Sequence, residues 1–161
     1  MTALSVLFVG QTVVGSRTIQ RINALRRLGH IVDVVSTNAT GSSYEDKPSL
    51  ITRLRYRLRI PKDSVAAGKR ILEKNIHTSY NILWLERAVE IDPGILKSVK
   101  KINPKIFLIW YAEDDMNNPL HRTRQVEAAI PIYDLWVTTK SFNTLPEEIP
   151  SFGGKNILFV N

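Results

Sequence analysis

Short apolar runs alternate with stretches of helical period along most of the chain. Leu4 to Gly10 is a continuous apolar run that stops at a glycine, the pattern of a strand buried on both faces. Gly15-Ser16-Arg17 follows, and then Ile19, Ile22, Leu25 and Leu28 recur at helical spacing. Arg26 and Arg27 occupy the last turn of that helix and Gly29 stands where a left-handed cap belongs, so both of its ends are marked. Further strands are predicted at Ile31 to Val35, Tyr80 to Leu85, Ile106 to Trp110, Asp134 to Thr138 and Asn156 to Val160. Helices are predicted over Ser64 to Ile76, with Asp63 as cap, over Pro93 to Ile102, with Asp92 as cap and proline at the first position, and over Leu120 to Ile130. Strands joined by links too long for hairpins imply right-handed crossovers. The predicted fold is therefore α/β: a Rossmann-like three-layer sandwich around a mostly parallel sheet of about six strands.

Ala39 to Lys62 interrupts the alternation. It opens as a polar loop and closes on Leu50 to Ile60, where Leu50, Leu54 and Leu58 fit a helix, while Leu54, Tyr56, Leu58 and Ile60 alternating with arginines fit a strand. The helix is preferred, because six strands are already assigned and Pro61-Lys62-Asp63 makes a turn into the next helix.

With 161 residues the chain is the size of one domain, and 43% hydrophobic residues are enough for a packed core. The absence of cysteine rules out disulfides, thiolate metal sites and a cysteine nucleophile. No apolar run is long enough to span a bilayer, and Met1 to Gly10 has neither the basic start nor the cleavage site of a signal peptide, so a cytoplasmic location is expected. The net charge of +7 concentrates in Arg53 to Arg59 and Lys97 to Lys105. Such charge attracts phosphates, nucleic acid or an anionic membrane. Nucleic acid is the weakest of these readings, since it rests on charge alone. Arg53, Arg55, Arg57 and Arg59 could contact an anionic membrane peripherally, although a basic run is more often a solvated helix face.

Ligands of parallel α/β sheets gather beyond the carboxyl ends of the strands. That rule selects the loops at Gly10 to Arg17, Glu86 to Ile91, Tyr111 to Pro119 and Thr139 to Asn143. In the first, Gly10, Gly15, Ser16 and Arg17 precede a helix start that could receive an anion, or the glycines merely permit the turn and Ser16 caps the helix. The spacing matches neither a dinucleotide fingerprint nor a P-loop, which disfavours nicotinamide and P-loop chemistry. The third loop holds Glu113, Asp114 and Asp115, whose crowding is tolerable if one is protonated, paired or held by backbone N–H groups. A general base, a metal ligand or a structural cap that pairs with Arg122 or Arg124 all remain open. Lys140 in the fourth loop could reach an anion held over the sheet edge. His30, His77 and His121 have no partner at ligand spacing and there is no G-x-S-x-G elbow, so neither a metal, a cofactor nor a serine hydrolase is expected.

Taken in order, Val6 to Gly10, Gly15 to Thr18, Ala24 to Val32, Asp114 to Asn118, Tyr133 to Asn143 and Asn156 to Asn161 resemble the N-terminal domain of GT-B glycosyltransferases, specifically those similar to the spore-maturation-type glycosyltransferases. The R-R-L-G-H-x-V piece is widespread; the D-D-M loop followed by Y-D-L-x-V-T-T-K is more specific. The resemblance implies an acceptor-side Rossmann-like domain over residues 1–161, to be joined by a C-terminal domain, absent from this chain, that binds the nucleotide-sugar donor. Half an enzyme of this kind would be inactive alone. The resemblance also implies that Gly15, Ser16 and Arg17, Asp114 and Asp115, and Lys140 and Asn143 face the cleft, with Asp114 or Asp115 as base toward the acceptor hydroxyl. Gly10 and Glu86 complete the expected substrate-binding set. The competing reading is a non-catalytic binding or regulatory module comparable to a receiver domain, weakened by Gln11 where an acidic cluster would be required.

Overall fold

The structure, a computed structural model, describes residues 2–43 and 45–161, so Met1 of the opening segment lies outside it. Six strands form one sheet in the order β2-β1-β3-β4-β5-β6, where β1 is Ser5–Gly10, β2 Ile31–Ser36, β3 Ile82–Glu86, β4 Phe107–Ala112, β5 Leu135–Thr138 and β6 Ile157–Phe159. Every adjacent pair is parallel. Carboxyl ends therefore share one rim, and the four loops selected from the sequence meet there. The strand order reverses at β1, between β2 and β3, which opens a crevice beyond Gly10 and Glu86.

Among the described residues there are five α-helices, α1 (Arg17–Arg27), α2 (Leu50–Arg57), α3 (Ala67–His77), α4 (Pro93–Ile102) and α5 (Arg124–Ala129), and all but α2 pack on the sheet. Local chemistry fixes their ends. The Ser16 hydroxyl accepts from the Ile19 N–H at the start of α1, and Gly29, at φ +86°, ends it. Asp92 accepts from the Gly94 N–H at the start of α4. Two helices begin later than the sequence pattern predicts. Asp63 does cap α3, but from four and five residues upstream, taking the N–H groups of Ala67 and Gly68 at 2.8 Å each, so Ser64 to Ala66 form a turn and not the first helical turn. α5 starts after the buried Thr123, whose hydroxyl accepts from the Val126 N–H; Leu120 to Arg122 belong to a turn closed onto Asn118.

The core is divided by the sheet. On one face α3, α4 and α5 bury a large cluster that includes Leu7, Leu83, Leu85, Leu108, Trp110 and Trp136. On the other face a small cluster of Val6, Phe8, Ile22 and Val32 lies under α1. α2 is a helix, as the leucine spacing predicts, yet none of its residues is buried.

Candidate active site

Three elements converge on the β1/β3 crevice: the start of α1, the end of β3 and the loop after β4. They enclose a cavity of about 350 Å³ lined by Gln11, Gly15, Ser16, Arg17, Thr18, Glu86, Arg87, Glu113 and Asp114. Gly10 lies beneath it, where a Cβ would come within 2.8 Å of the Glu86 carbonyl, so any side chain there would wedge β1 away from β3. Gly15, at φ +80°, makes the turn that brings Ser16 to the helix start. Ser16 is spent on capping, but the N–H groups of Arg17 and Thr18 donate to no backbone carbonyl. They remain available to an anion.

Glu86 is the buried anchor of the cavity. Its side chain is 1% exposed, and Oε1 accepts from the Thr18 hydroxyl and from Arg21 Nη1, both at 2.8 Å, while Oε2 has no partner. Burial pushes this carboxyl above its usual range, and Arg21 and Thr18 pull it back. Arg21 also donates to Glu113 through Nη2 and stacks its guanidinium 4.2 Å from the Tyr111 ring centroid. Burial opposes the Arg21 charge, but Glu86 and Glu113 outweigh it and raise its pKa. Arg17 reaches the same Glu113 oxygen from outside at 3.4 Å.

Asp114 sits at the cavity mouth. Arg87 Nε approaches its Oδ2 at 3.7 Å and His121 Nδ1 at 3.6 Å. The pairing with Arg122 or Arg124 considered from the sequence does not form; Arg122 turns to Glu127 and Glu148. Asp115 is exposed and outside the cavity, where its Oδ1 accepts from the Asn117 N–H at 2.9 Å in a side-chain turn. Lys140 also lies outside the cavity lining. Asn143 is fully buried and acts as a tie: its Nδ2 donates to the Asp114 carbonyl and the Thr138 hydroxyl, and its Oδ1 accepts from the Met116 N–H. It holds the acidic loop onto the end of β5 without facing the cavity. Among the described residues no three His, Asp or Glu side chains are arranged to hold a metal.

No family model matches the sequence, and no curated protein does. A solved structure does match: an alpha-glucosyltransferase in complex with UDP-glucose and DNA containing an abasic site, at a TM-score of 0.55 and 14% identity. The alignment takes in 99% of this chain and 42% of the glucosyltransferase chain. The fold is glycosyltransferase-like. The chain thus spans less than half the length of the enzyme it resembles.

The structure brings Gly15, Ser16, Arg17, Glu86 and Asp114 around one cavity, and adds Gln11, Thr18, Arg87 and Glu113, with Arg21 behind them. Arg21 and Thr18 carried a readable signal. Residues 17, 18 and 21 share one face of a helix whose start was already assigned to the rim. Arg87 carried none, since its position depends on a left-handed backbone at φ 52° immediately after β3.

Proposed function

We propose that this chain is the acceptor-side half of a two-domain glycosyltransferase of the spore-maturation type, which transfers a sugar from a nucleotide-sugar donor carried by a C-terminal domain. The reading is supported chiefly by the meeting of free α1 N–H groups, Arg17 and a rim of carboxylates at the β1/β3 crevice of a glycosyltransferase-like fold. In the proposed step the acceptor hydroxyl attacks the anomeric carbon. Its proton passes to the Asp114 carboxylate, and the anomeric C–O bond breaks with its electron pair leaving on the nucleoside diphosphate. Arg87 and His121 hold Asp114 in position, Arg17 and the first-turn N–H groups bind an anionic part of the substrate, and Lys140 faces the donor domain. Asp115 shapes the loop. In this reading Gly10 and Glu86 set the crevice walls and Asn143 fixes the height of Asp114.

The decisive experiment joins this chain to a donor-binding domain and measures sugar transfer. Asp114→Asn lowers kcat about 100-fold or more, as expected for loss of a general base, while Asp115→Asn stays within about threefold. Equal rates for wild type and Asp114→Asn would remove Asp114 from the mechanism. Duplex DNA belongs among the acceptors tried, because the net charge of +7 and the DNA in the similar glucosyltransferase complex both favour trying it.

We include a peripheral membrane contact in the proposal, carried by α2 on an otherwise cytoplasmic protein. Leu50, Ile51, Leu54 and Leu58 are exposed beside Arg53 and Arg57. Arg55 turns instead toward a neighbouring chamber, and Arg59 bonds the Arg122 carbonyl and Glu127. No helix among the described residues is long and apolar enough to cross a membrane. Vesicles containing anionic lipid retain the protein at low salt and release it on Leu54→Glu; equal retention by neutral vesicles would end the electrostatic part of the proposal.

A further inference from the structure

Beside the rim cavity lies a larger chamber of about 680 Å³. It is walled by the loop after β2, the inner side of α2, the turn from Pro61 to Ser64 and the loop after β3. Gln11 and Arg87 line both spaces, so the two communicate across these side chains. The volume suits a ligand of one or two sugar rings.

Two features of the chamber ask for an explanation. The first lies at two buried lining residues that face one another: Glu90 is 9% exposed and Thr37 7%, and Glu90 Oε2 and Thr37 Oγ1 lie close without forming a well-aligned hydrogen bond. Buried polar groups without partners are costly and rare in a finished interior, but they are what a site built for a hydroxyl-bearing ligand presents when empty. The second is the charge of the walls. Lys47, Arg55, Lys62 and Arg87 line the chamber against Asp46 and Glu90. Arg87 holds its place at a positive φ of 52°, a conformation that non-glycine residues rarely adopt. The chamber is thus cationic at the walls and unsatisfied at the floor.

We propose that this chamber binds a small phosphorylated sugar or polyol. Its phosphate meets Arg55, Lys62 and Arg87, and its hydroxyls complete the bonding of Glu90 and Thr37. The inference rests on the glycosyltransferase reading and gives the acceptor a chemical class: the ring held at the floor can present a hydroxyl past Arg87 to the rim cavity. The state of Glu90 supports the assignment. Burial, aided by Asp63 in the turn before α3, pushes its carboxyl up to about 7, against the opposing pull of its own backbone N–H and the nearby Thr37 hydroxyl. Tyr56 of α2 is the other titratable group that feels the Glu90 charge, and Arg87 of the β3 loop in turn lies near Tyr56. Near neutral pH such a carboxyl can donate to a hydroxyl as well as accept from one.

Calorimetric titration of the chain with glycerol 3-phosphate, ribose 5-phosphate and glucose 6-phosphate tests the assignment, with glucose and inorganic phosphate as the partial probes. At least one phosphorylated polyol binds tenfold or more tightly than either partial probe. Arg55→Ala, on a helix that buries nothing, weakens that binding at least tenfold. Glu90→Gln weakens it several-fold and flattens its dependence on pH between 6 and 8, whereas Lys97→Ala on the far helix α4 leaves it unchanged. Absence of binding, phosphate alone binding as well as the phosphorylated polyols, or indifference to both Arg55→Ala and Glu90→Gln overturns the proposal. Binding that behaves as described, together with failure of the two-domain protein to transfer sugar to the bound polyol, would overturn the glycosyltransferase reading and leave the chamber standing.

Discussion

The two faces of the sheet are held by different physics. Over one face α3, α4 and α5 bury a continuous apolar cluster, with Trp110, Tyr133 and Trp136 in mutual ring contact. Over the other α1 alone covers a small cluster, and cohesion at its carboxyl end comes from Arg21 with Glu86 and Glu113 and from the stack of Phe8, Trp84 and Tyr111. Toward β6 no element among the described residues covers this second face: Phe107 is 43% exposed and Leu158 48%. Parallel sheets ordinarily bury both faces. The first face rests mainly on hydrocarbon, with the Lys100–Asp134 pair at its edge, while the second depends on charges that also line the candidate site.

That contrast can be broken at several points. The largest effect is expected from Trp136→Ala, which empties a ring site 1% exposed in the apolar face and costs about 3–5 kcal/mol by urea denaturation. A loss under 1 kcal/mol would mean that this face is not the main source of stability. Arg21→Ala strands the Glu86 carboxylate without its cation and costs about 2–3 kcal/mol, discounted for the water that reaches Arg21 at 20% exposure. Arg21→Met combined with Glu86→Leu recovers much of that loss, because the charge and its partner leave together; a double variant as weak as Arg21→Ala would show that packing, not charge, was removed.

Glu90 gives a smaller effect with a distinctive dependence on pH. Burial pushes its carboxyl up to about 7 in the folded chain from an ordinary 4.5, so the folded state binds the extra proton between these values. The stability associated with it is complete below the lower value and is lost as pH rises toward 7. Glu90→Gln is therefore expected to stabilise the chain by about 1–2 kcal/mol at pH 8 and to change little at pH 4.5, read from urea midpoints at both values. An equal effect at the two pH values would contradict the shifted titration. Smallest of all, Phe107→Ser on the uncovered face changes stability by no more than about 0.5 kcal/mol, and a larger loss would mean that this face is covered in solution.

The strands and their common direction were legible because each is a brief apolar run closed by glycine or a polar loop, and because the links between them are long enough only for crossovers. Helix starts were less legible where the capping group works at a distance, as Asp63 does for α3. In the candidate site, the residues read from loop position alone separate by what the backbone does next. Asp114 points to the cavity mouth while its neighbour Asp115 is turned to an N–H two residues on. Asn143 has the composition of a binding residue, yet three hydrogen bonds draw it inward. Glu90 falls within the loop selected after β3, but its chamber left no trace in the sequence pattern, because the enclosure depends on α2 standing off the core and on the path of the loop before it.

The Asn143 tie gives the rim a mechanical property. One amide grips the backbone at Asp114 and Met116 and the hydroxyl at Thr138, so the acidic loop and the tip of β5 move as a single piece. A force applied to the segment after β5 is delivered to the carboxylate at the cavity mouth through about one side-chain length. Loosening that amide would uncouple lever from load.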